Sequence, residues 1–448
     1  MNLASRGRSL PLMAAGVLCA ALGLFPAAEA GAATAPAPVP HAGAGGAHPV
    51  RNPSAVVASS AADSDPVFTA PVSTSQCRKQ IARGCYSPLQ YRTAYDLDPL
   101  YKQGITGRGR TIVIADSYGS PTIQHDLDVF DHQWGLPNTT VDVVKWGDVP
   151  KFDPKNSDMT GWAGETTLDV EAAHAVAPGA RIVLVETAVS ETEGDVGVPE
   201  MMSAINHLVD QGTGDVVSMS WATSEAQFPG FSQGDYAALT SQRYAFVNAA
   251  RHGVTLTASS GDGGGDAKRL DAAWPAGDPL VTAIGGTELH LNDQGRRTAP
   301  DSAWSGSGGE RSKVFARPSY QDPVRAVVGT HRGTPDISMA ASTDGAMWMY
   351  SSFDPANVGW TADGAGTSEA SPLFAAVVAL ADQAAGHRLG QIDDDLYRLQ
   401  GRAHSGLVDV TTGRTGSAGF PATRGYDQAT GLGTVDAAVL VHALAHRP

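Results

Sequence analysis

Along this chain, short β-branched apolar runs alternate with stretches whose apolar residues recur at helical spacing. Residues 111–115 (TIVIA), 181–186 (RIVLVE), 216–221 (VVSMSW), 254–259 (VTLTAS) and 280–284 (LVTAI) read as strands. Helices are predicted between them over 123–134, 199–210 and 236–252. The strands are apolar throughout rather than alternately polar, so both of their faces must be buried. That predicts an α/β fold: a mainly parallel sheet with helices on both faces. In such sheets, ligands bind beyond the carboxyl ends of the strands.

The pattern is absent at the start of the chain. Arg6 and Arg8 precede an apolar run over 9–27 broken by Pro11 and Gly16, and Ala28-Glu29-Ala30 offers a small-x-small cleavage site. This predicts a signal peptide over 1–30 and a secreted, extracellular protein with no membrane contact after cleavage. Residues 31–75 are rich in Ala, Pro, Gly and Ser, a composition that cannot bury enough surface to fold, and they read as a disordered leader or short propeptide. From there to the end (76–448) no repeat or second linker breaks the chain, so a single domain is expected, with a monomer as the default. Of the three cysteines, Cys19 lies in the signal. Cys77 and Cys85 remain, in a compartment where disulfides persist, and are expected to close one small loop. The formal net charge of -15, with no Lys/Arg block, argues against nucleic-acid binding.

Three segments carry candidate chemistry. Gly366-Thr367-Ser368-Glu369-Ala370-Ser371-Pro372 leads into an apolar helix, placing Ser368 at a glycine turn beside helix N-terminal amides. A plain helix cap explains the same pattern. A serine nucleophile needs a base, and none of the histidines has suitable neighbours. Instead Glu165 and Asp169, four apart, share one face of a helix that opens at Gly164 and ends at Pro178-Gly179. Facing a cleft, such a pair shares a proton; facing water, it is merely two solvated acids in a first helical turn. The third segment, Ser259-Ser260-Gly261-Asp262-Gly263-Gly264-Gly265, leaves a strand as a glycine-rich loop. A protonated Asp262 there is suited to donate to an oxyanion; an Asx turn or a calcium loop is the alternative.

These segments, with IVIADSYGSP at 112–121 and VVSMSW at 216–221, resemble in order and spacing the sedolisins, serine-carboxyl peptidases of subtilisin-like fold, over roughly residues 86–446. The resemblance implies a single subtilisin-like domain and a serine endopeptidase acting on protein or peptide substrates at acidic pH. It implies Ser368 as nucleophile, Glu165 as base, Asp169 as its partner and Asp262 as oxyanion donor. By the same likeness the backbone of Ser218, Met219 and Ser220, and of Ser259, Ser260 and Gly261, lines an extended substrate. It further implies one structural Ca²⁺ held by Asp409 and Asp427 with carbonyls of Val410, Thr423 and Gly425, where Thr423 stands in place of the family's usual glycine. The family's large folded prosegment finds no counterpart in the short low-complexity leader. Two rival readings are a catalytically silent binding protein on this fold and a Ser-His-Asp peptidase using Asp116, for which His174 is poorly placed.

Overall fold

The computed structural model describes residues 66–191 and 195–446; the signal segment and most of the leader lie outside them. The core is an eight-stranded sheet. Its strands are β1 (Thr111–Ser117), β2 (Val141–Trp146), β3 (Arg181–Thr187), β4 (Val216–Met219), β5 (Thr255–Ser259), β6 (Thr282–Glu288), β7 (Ser302–Ala303) and β8 (Ile337–Ala340). The order across the sheet is β7-β6-β5-β4-β1-β3-β2, with β8 also paired to β6. Every pairing is parallel except that of β7. Ile114 lies opposite Leu184 on one side and Ser218 on the other, and Ser218 lies opposite Thr257. The ends of β1, β4 and β5 are therefore brought side by side.

The uninterrupted apolar runs have a direct cause. In β1, Ile112 and Ile114 enter one core cluster, while Val113 and Ala115 enter another on the opposite face. Helices α1 (Ile123–Trp134), α2 (Ser157–Val176), α5 (Thr367–Ala385) and α6 (Ala437–Ala445) contribute to the first cluster; α3 (Val198–Asp210) and α4 (Tyr244–Arg251) contribute to the second. Successive strand residues point to opposite faces, so both sets must be apolar.

Several elements differ from the sequence reading. The helix expected to open at Gly164 begins at Ser157, because Asn156 Oδ1 caps the amides of Asp158 (2.9 Å) and Met159 (3.3 Å). Glu165 and Asp169 thus sit in the helix interior rather than its first turn. The helix predicted over 236–252 breaks into Ala237–Thr240, a 3-10 turn at Ser241–Arg243, and α4. At the break, the Thr240 and Ser241 hydroxyls donate back to the carbonyls of Tyr236 (2.9 Å) and Ala238 (2.8 Å). Strands β2 and β8 escaped the pattern: one is a half-exposed edge strand and the other has only four residues.

Order also reaches further upstream than the composition suggested. Phe68 exchanges both backbone hydrogen bonds with Trp360 (2.8 and 2.9 Å) and sets its ring edge-on against Trp348. Cys77 and Cys85 form the expected disulfide, with Cα atoms 6.0 Å apart and both residues buried. Among the described residues, no helix is long and apolar enough to cross a membrane.

Candidate active site

Residues following three neighbouring strands meet the N-terminus of α5. The end of β1 supplies Asp116, β4 leads to Ser220, and β5 runs into Ser259–Asp262. Gly366 caps α5 with φ +97°, a conformation that disfavours side chains, and a Cβ there would collide with Asp262 Oδ2. Thr367 then clamps the loop to the helix. Its amide and its hydroxyl each donate to Asp262 Oδ1 at 2.8 Å, and its hydroxyl accepts from Gly261 N–H at 3.1 Å. Ser368 follows immediately, fully buried. Its hydroxyl donates to the Ser220 carbonyl at 3.4 Å, and Ser220 Oγ donates to the Ser368 carbonyl at 3.1 Å.

Helix α2 brings Glu165 and Asp169 to the same place, both buried. Burial pushes both carboxyls well above the usual range, and the like charges around them add to it: Asp116 and Asp262 for Glu165, Asp116 and Glu165 for Asp169. The Ser368 hydroxyl lies near enough to Glu165, and Ser220 to Asp169, to oppose that rise. Even so, none of the four carboxylate oxygens completes a hydrogen bond of normal geometry.

Asp116 is the residue whose place the sequence reading missed. Its place after the first strand suggests only the acid of a histidine-based site, yet it packs with Glu165 and Asp169 as a third carboxyl. Burial pushes it up to about 7, against the hydrogen bond it accepts from Thr166 Oγ1 at 3.0 Å. Three interacting acids titrate as one cluster. Asp262 is pushed up to about 6 by its buried surroundings, opposed by the two Thr367 hydrogen bonds.

The residues expected to line substrate separate into two groups. Ser218 and Met219 lie inside the sheet, paired with β1 or β5, and both side chains are buried. Ser218 Oγ meets Ser371 Oγ at 2.9 Å, and Ser371 meets Thr257 Oγ1 at 3.2 Å, a hydroxyl chain that fastens α5 to the sheet. Ser259 is likewise buried in β5. Ser220, Ser260 and Gly261 lie beyond the strand ends, where Ser260 Oγ donates to the Gly308 carbonyl at 2.6 Å. His174 is buried against Asp131 at 3.0 Å, and among the described residues no histidine hydrogen-bonds Ser368.

At the C-terminal loops, Asp409 and Asp427 converge on one segment. Gly425 N–H donates to both oxygens of Asp409 (3.2 and 3.0 Å). Thr423 N–H donates to Asp427 Oδ2 (2.6 Å), and the amides of Ala429 and Thr430 donate to its Oδ1. Among the described residues neither acid forms an ion pair, and no group of three or more His, Cys, Asp or Glu side chains is placed to hold a metal. Val410 is buried beside them. Both acids are engaged by backbone N–H donors and, among the described residues, neither has an ion-pair partner; carboxylates of this kind are ligands a hard divalent cation takes.

A model of the subtilase family matches residues 156–395, a stretch that begins at the cap of α2 and includes Glu165, Asp169, Asp262 and Ser368. Kumamolisin of Bacillus sp. (strain MN-32) is 29% identical over 381 residues, covering 80% of this chain and 63% of that relative. Sedolisin of Pseudomonas sp. (strain 101) is 27% identical over 379 residues, covering 79% and 60%. This chain belongs to the subtilase family, among the sedolisins. The solved Pseudomonas sedolisin, a serine-carboxyl proteinase complexed with two molecules of pseudo-iodotyrostatin, superposes with a TM-score of 0.68 at 26% identity. That match covers 80% of this chain and 98% of that one. The expected subtilisin-like α/β fold is thereby borne out. The chain spans about three fifths of the length of those two curated relatives.

Proposed function

We propose that this chain is a secreted, acid-active serine endopeptidase that cleaves protein or peptide substrates as a monomer, without nucleic-acid or membrane partners. The observation that carries the reading is the buried constellation itself: Ser368 at a helix N-terminus, a carboxyl cluster with unfilled hydrogen bonds beside it, and Asp262 fixed by Thr367. Ser368 Oγ attacks the scissile carbonyl and its proton passes to Glu165, which returns it to the leaving amine. Water then hydrolyses the acyl-enzyme by the same route. Asp169 and Asp116 share the proton and keep the cluster from accumulating charge. Because Asp262 Oδ1 is engaged by two donors, its proton resides on Oδ2, from which it donates to the tetrahedral oxyanion. Ser220, Ser260 and Gly261 border the cleft, while Ser218, Met219 and Ser259 support it from within. Asp409 and Asp427, with carbonyls of Val410, Thr423 and Gly425, hold one Ca²⁺ that stiffens the C-terminal loops.

The sign of the pH dependence follows from Asp262. As pH rises through about 6 it ionises and its donor is lost, so activity fades towards neutrality. On the acid side, activity falls when the cluster takes up its last proton. The test is cleavage of a denatured protein from pH 3 to 9 by the wild type, Glu165→Ala and Ser368→Ala. The expected result is an acidic optimum and a loss of about 10⁴-fold or more in both variants. Activity that peaks near neutral pH and survives Glu165→Ala overturns the assignment.

A further inference from the structure

Glu369 follows Ser368 in the first turn of α5, is fully buried, and takes no part in the chemistry proposed above. Its Oε1 lies 2.7 Å from Tyr91 Oη and accepts from Met347 N–H at 3.2 Å, while Oε2 is buried without a hydrogen-bond partner. Tyr91 belongs to the helix Pro88–Ala94, and its Oη also lies 3.0 Å from the Gly345 carbonyl. Gly345 and Met347 are in turn held by the segment that the disulfide closes. Gly345 N–H donates to the Gly84 carbonyl (3.0 Å) and Trp348 N–H to the Tyr86 carbonyl (2.8 Å), and Cys85 and Tyr86 pair in parallel with Ala346 and Met347. On α5 itself, Glu369 N–H donates to the Gly366 carbonyl at 3.1 Å, and Gly366 N–H donates to the Ala341 carbonyl at 2.8 Å. The turn that presents Ser368 is thus held by Asp262 on one side and by Glu369 on the other.

The phenol decides the protonation state of this carboxyl. Tyr91 has one proton and two acceptors within reach. With Glu369 as the acid, both contacts are hydrogen bonds: the carboxyl donates to Tyr91 Oη, which donates to the Gly345 carbonyl. With Glu369 ionised, one of the two contacts sets lone pairs against each other, and Oε2 becomes a bare charge in the core. We propose that Glu369 is a positioning residue which, as the neutral acid, latches the Ser368 turn to Tyr91 and to segment 345–347. Its consequence for catalysis rests on Ser368 as the nucleophile; the latch itself does not. Burial pushes Glu369 up to about 8, opposed by its bonds to Tyr91 and Met347. The titratable side chains facing it are Tyr91 and Tyr95, whose phenols burial also pushes up, and segment 345–347 brings none. The latch is therefore intact at acidic and neutral pH and is released as pH rises through about 8.

The experiment compares Glu369→Leu, which fills the space without donating, Tyr91→Phe, and Glu369→Gln, which stays neutral and keeps a donor. In peptide cleavage at pH 4, the first two are expected to lower kcat about tenfold to a hundredfold with KM nearly unchanged. Glu369→Gln should recover most of that loss. In hydrogen exchange at pH 5, the amides of Gly366, Thr367 and Met347 should exchange about tenfold faster in the first two variants, and at the wild-type rate in Glu369→Gln. Should Glu369→Leu not fold, Tyr91→Phe carries the same comparison. A kcat or an exchange rate unchanged in Tyr91→Phe, or a Glu369→Gln as impaired as the others, overturns the proposal. If the wild type cleaves no peptide, exchange decides. Faster exchange that Glu369→Gln restores upholds the latch while the nucleophile reading fails, and unchanged exchange overturns the latch. The melting temperature of Glu369→Gln should also gain on that of the wild type as pH rises from 7 to 9. A constant difference over that interval overturns the neutral acid.

Discussion

Two groups of buried charged residues in this protein are built to opposite rules. Arg332 and Asp336 are both fully buried, and their polar atoms are nearly all used. Arg332 Nη1 donates to Asp336 Oδ1 at 2.6 Å and to the Gly333 carbonyl at 2.6 Å, while Nη2 reaches Oδ2 and the Val281 carbonyl. Tyr397 Oη and Ala283 N–H add bonds to Asp336, each at 2.8 Å. Glu165 and Asp169 are as deeply placed, yet their oxygens are unfilled and each has another carboxyl rather than an arginine for company. Burial therefore does not distinguish a structural acid from a reactive one. Unmade hydrogen bonds alone do not either, because both oxygens of the buried Asp131 and Asp393 complete none; what marks Glu165 and Asp169 is that theirs are left unmade beside a third carboxyl and a buried serine hydroxyl.

Breaking the satisfied group should produce the largest stability change. Arg332→Met strands Asp336 in the core and is expected to cost about 3–5 kcal/mol in urea unfolding. Any folded fraction should retain the wild-type pH profile. A loss under 1 kcal/mol would show that the buried pair is not what secures this region. Next comes Asp262→Ala, expected to lower kcat by about 10²–10³-fold with little change in melting temperature. Asp262→Asn is more informative: its amide donates at any pH, so the decline above pH 6 should flatten. Persistence of that decline would assign it to another group.

A smaller effect, of opposite sign to that of Arg332→Met, is expected at the unfilled group. Asp169→Asn removes an ionisable group from a site that penalises its charge, and should raise the melting temperature at pH 7 to 8 while reducing activity. A fall in melting temperature like that of Arg332→Met would erase the contrast between the two groups. The whole-molecule counterpart follows the same linkage. Burial raises Asp116, Glu225 and Asp382 to about 7, and Glu310, Glu369 and Asp393 to about 8. In the unfolded chain such groups ionise near pH 4. Their contribution to stability is thus fully present below that pH and is lost as pH rises through 7 to 8. Melting temperature should fall steadily from pH 4 to 8; a rise over that interval would mean these carboxyls are ionised and paired when folded. The smallest effect expected is that of calcium. A chelator should lower the melting temperature by a few degrees, and Asp409→Ala should make the protein insensitive to it. An unchanged melting temperature with chelator would reduce Asp409 and Asp427 to turn-forming acids.

The sequence by itself determined relations within single elements. The apolar runs specified strands buried on both faces, four-residue spacing put Glu165 and Asp169 on one side of a helix, and Gly366-Thr367-Ser368 marked a sharp entry into α5. These are local consequences of backbone geometry, and they hold wherever the element is placed. Only the tertiary structure decided which elements meet. It brought Asp116 from the end of β1 to the pair on α2, and joined Thr367 to Asp262 across 105 positions of chain. It enclosed Ser218 and Met219 within the sheet. No spacing in the chain encodes such contacts. They arise because two core layers pack against one twisted sheet, and packing alone sets which carboxyls share a desolvated space and which find partners.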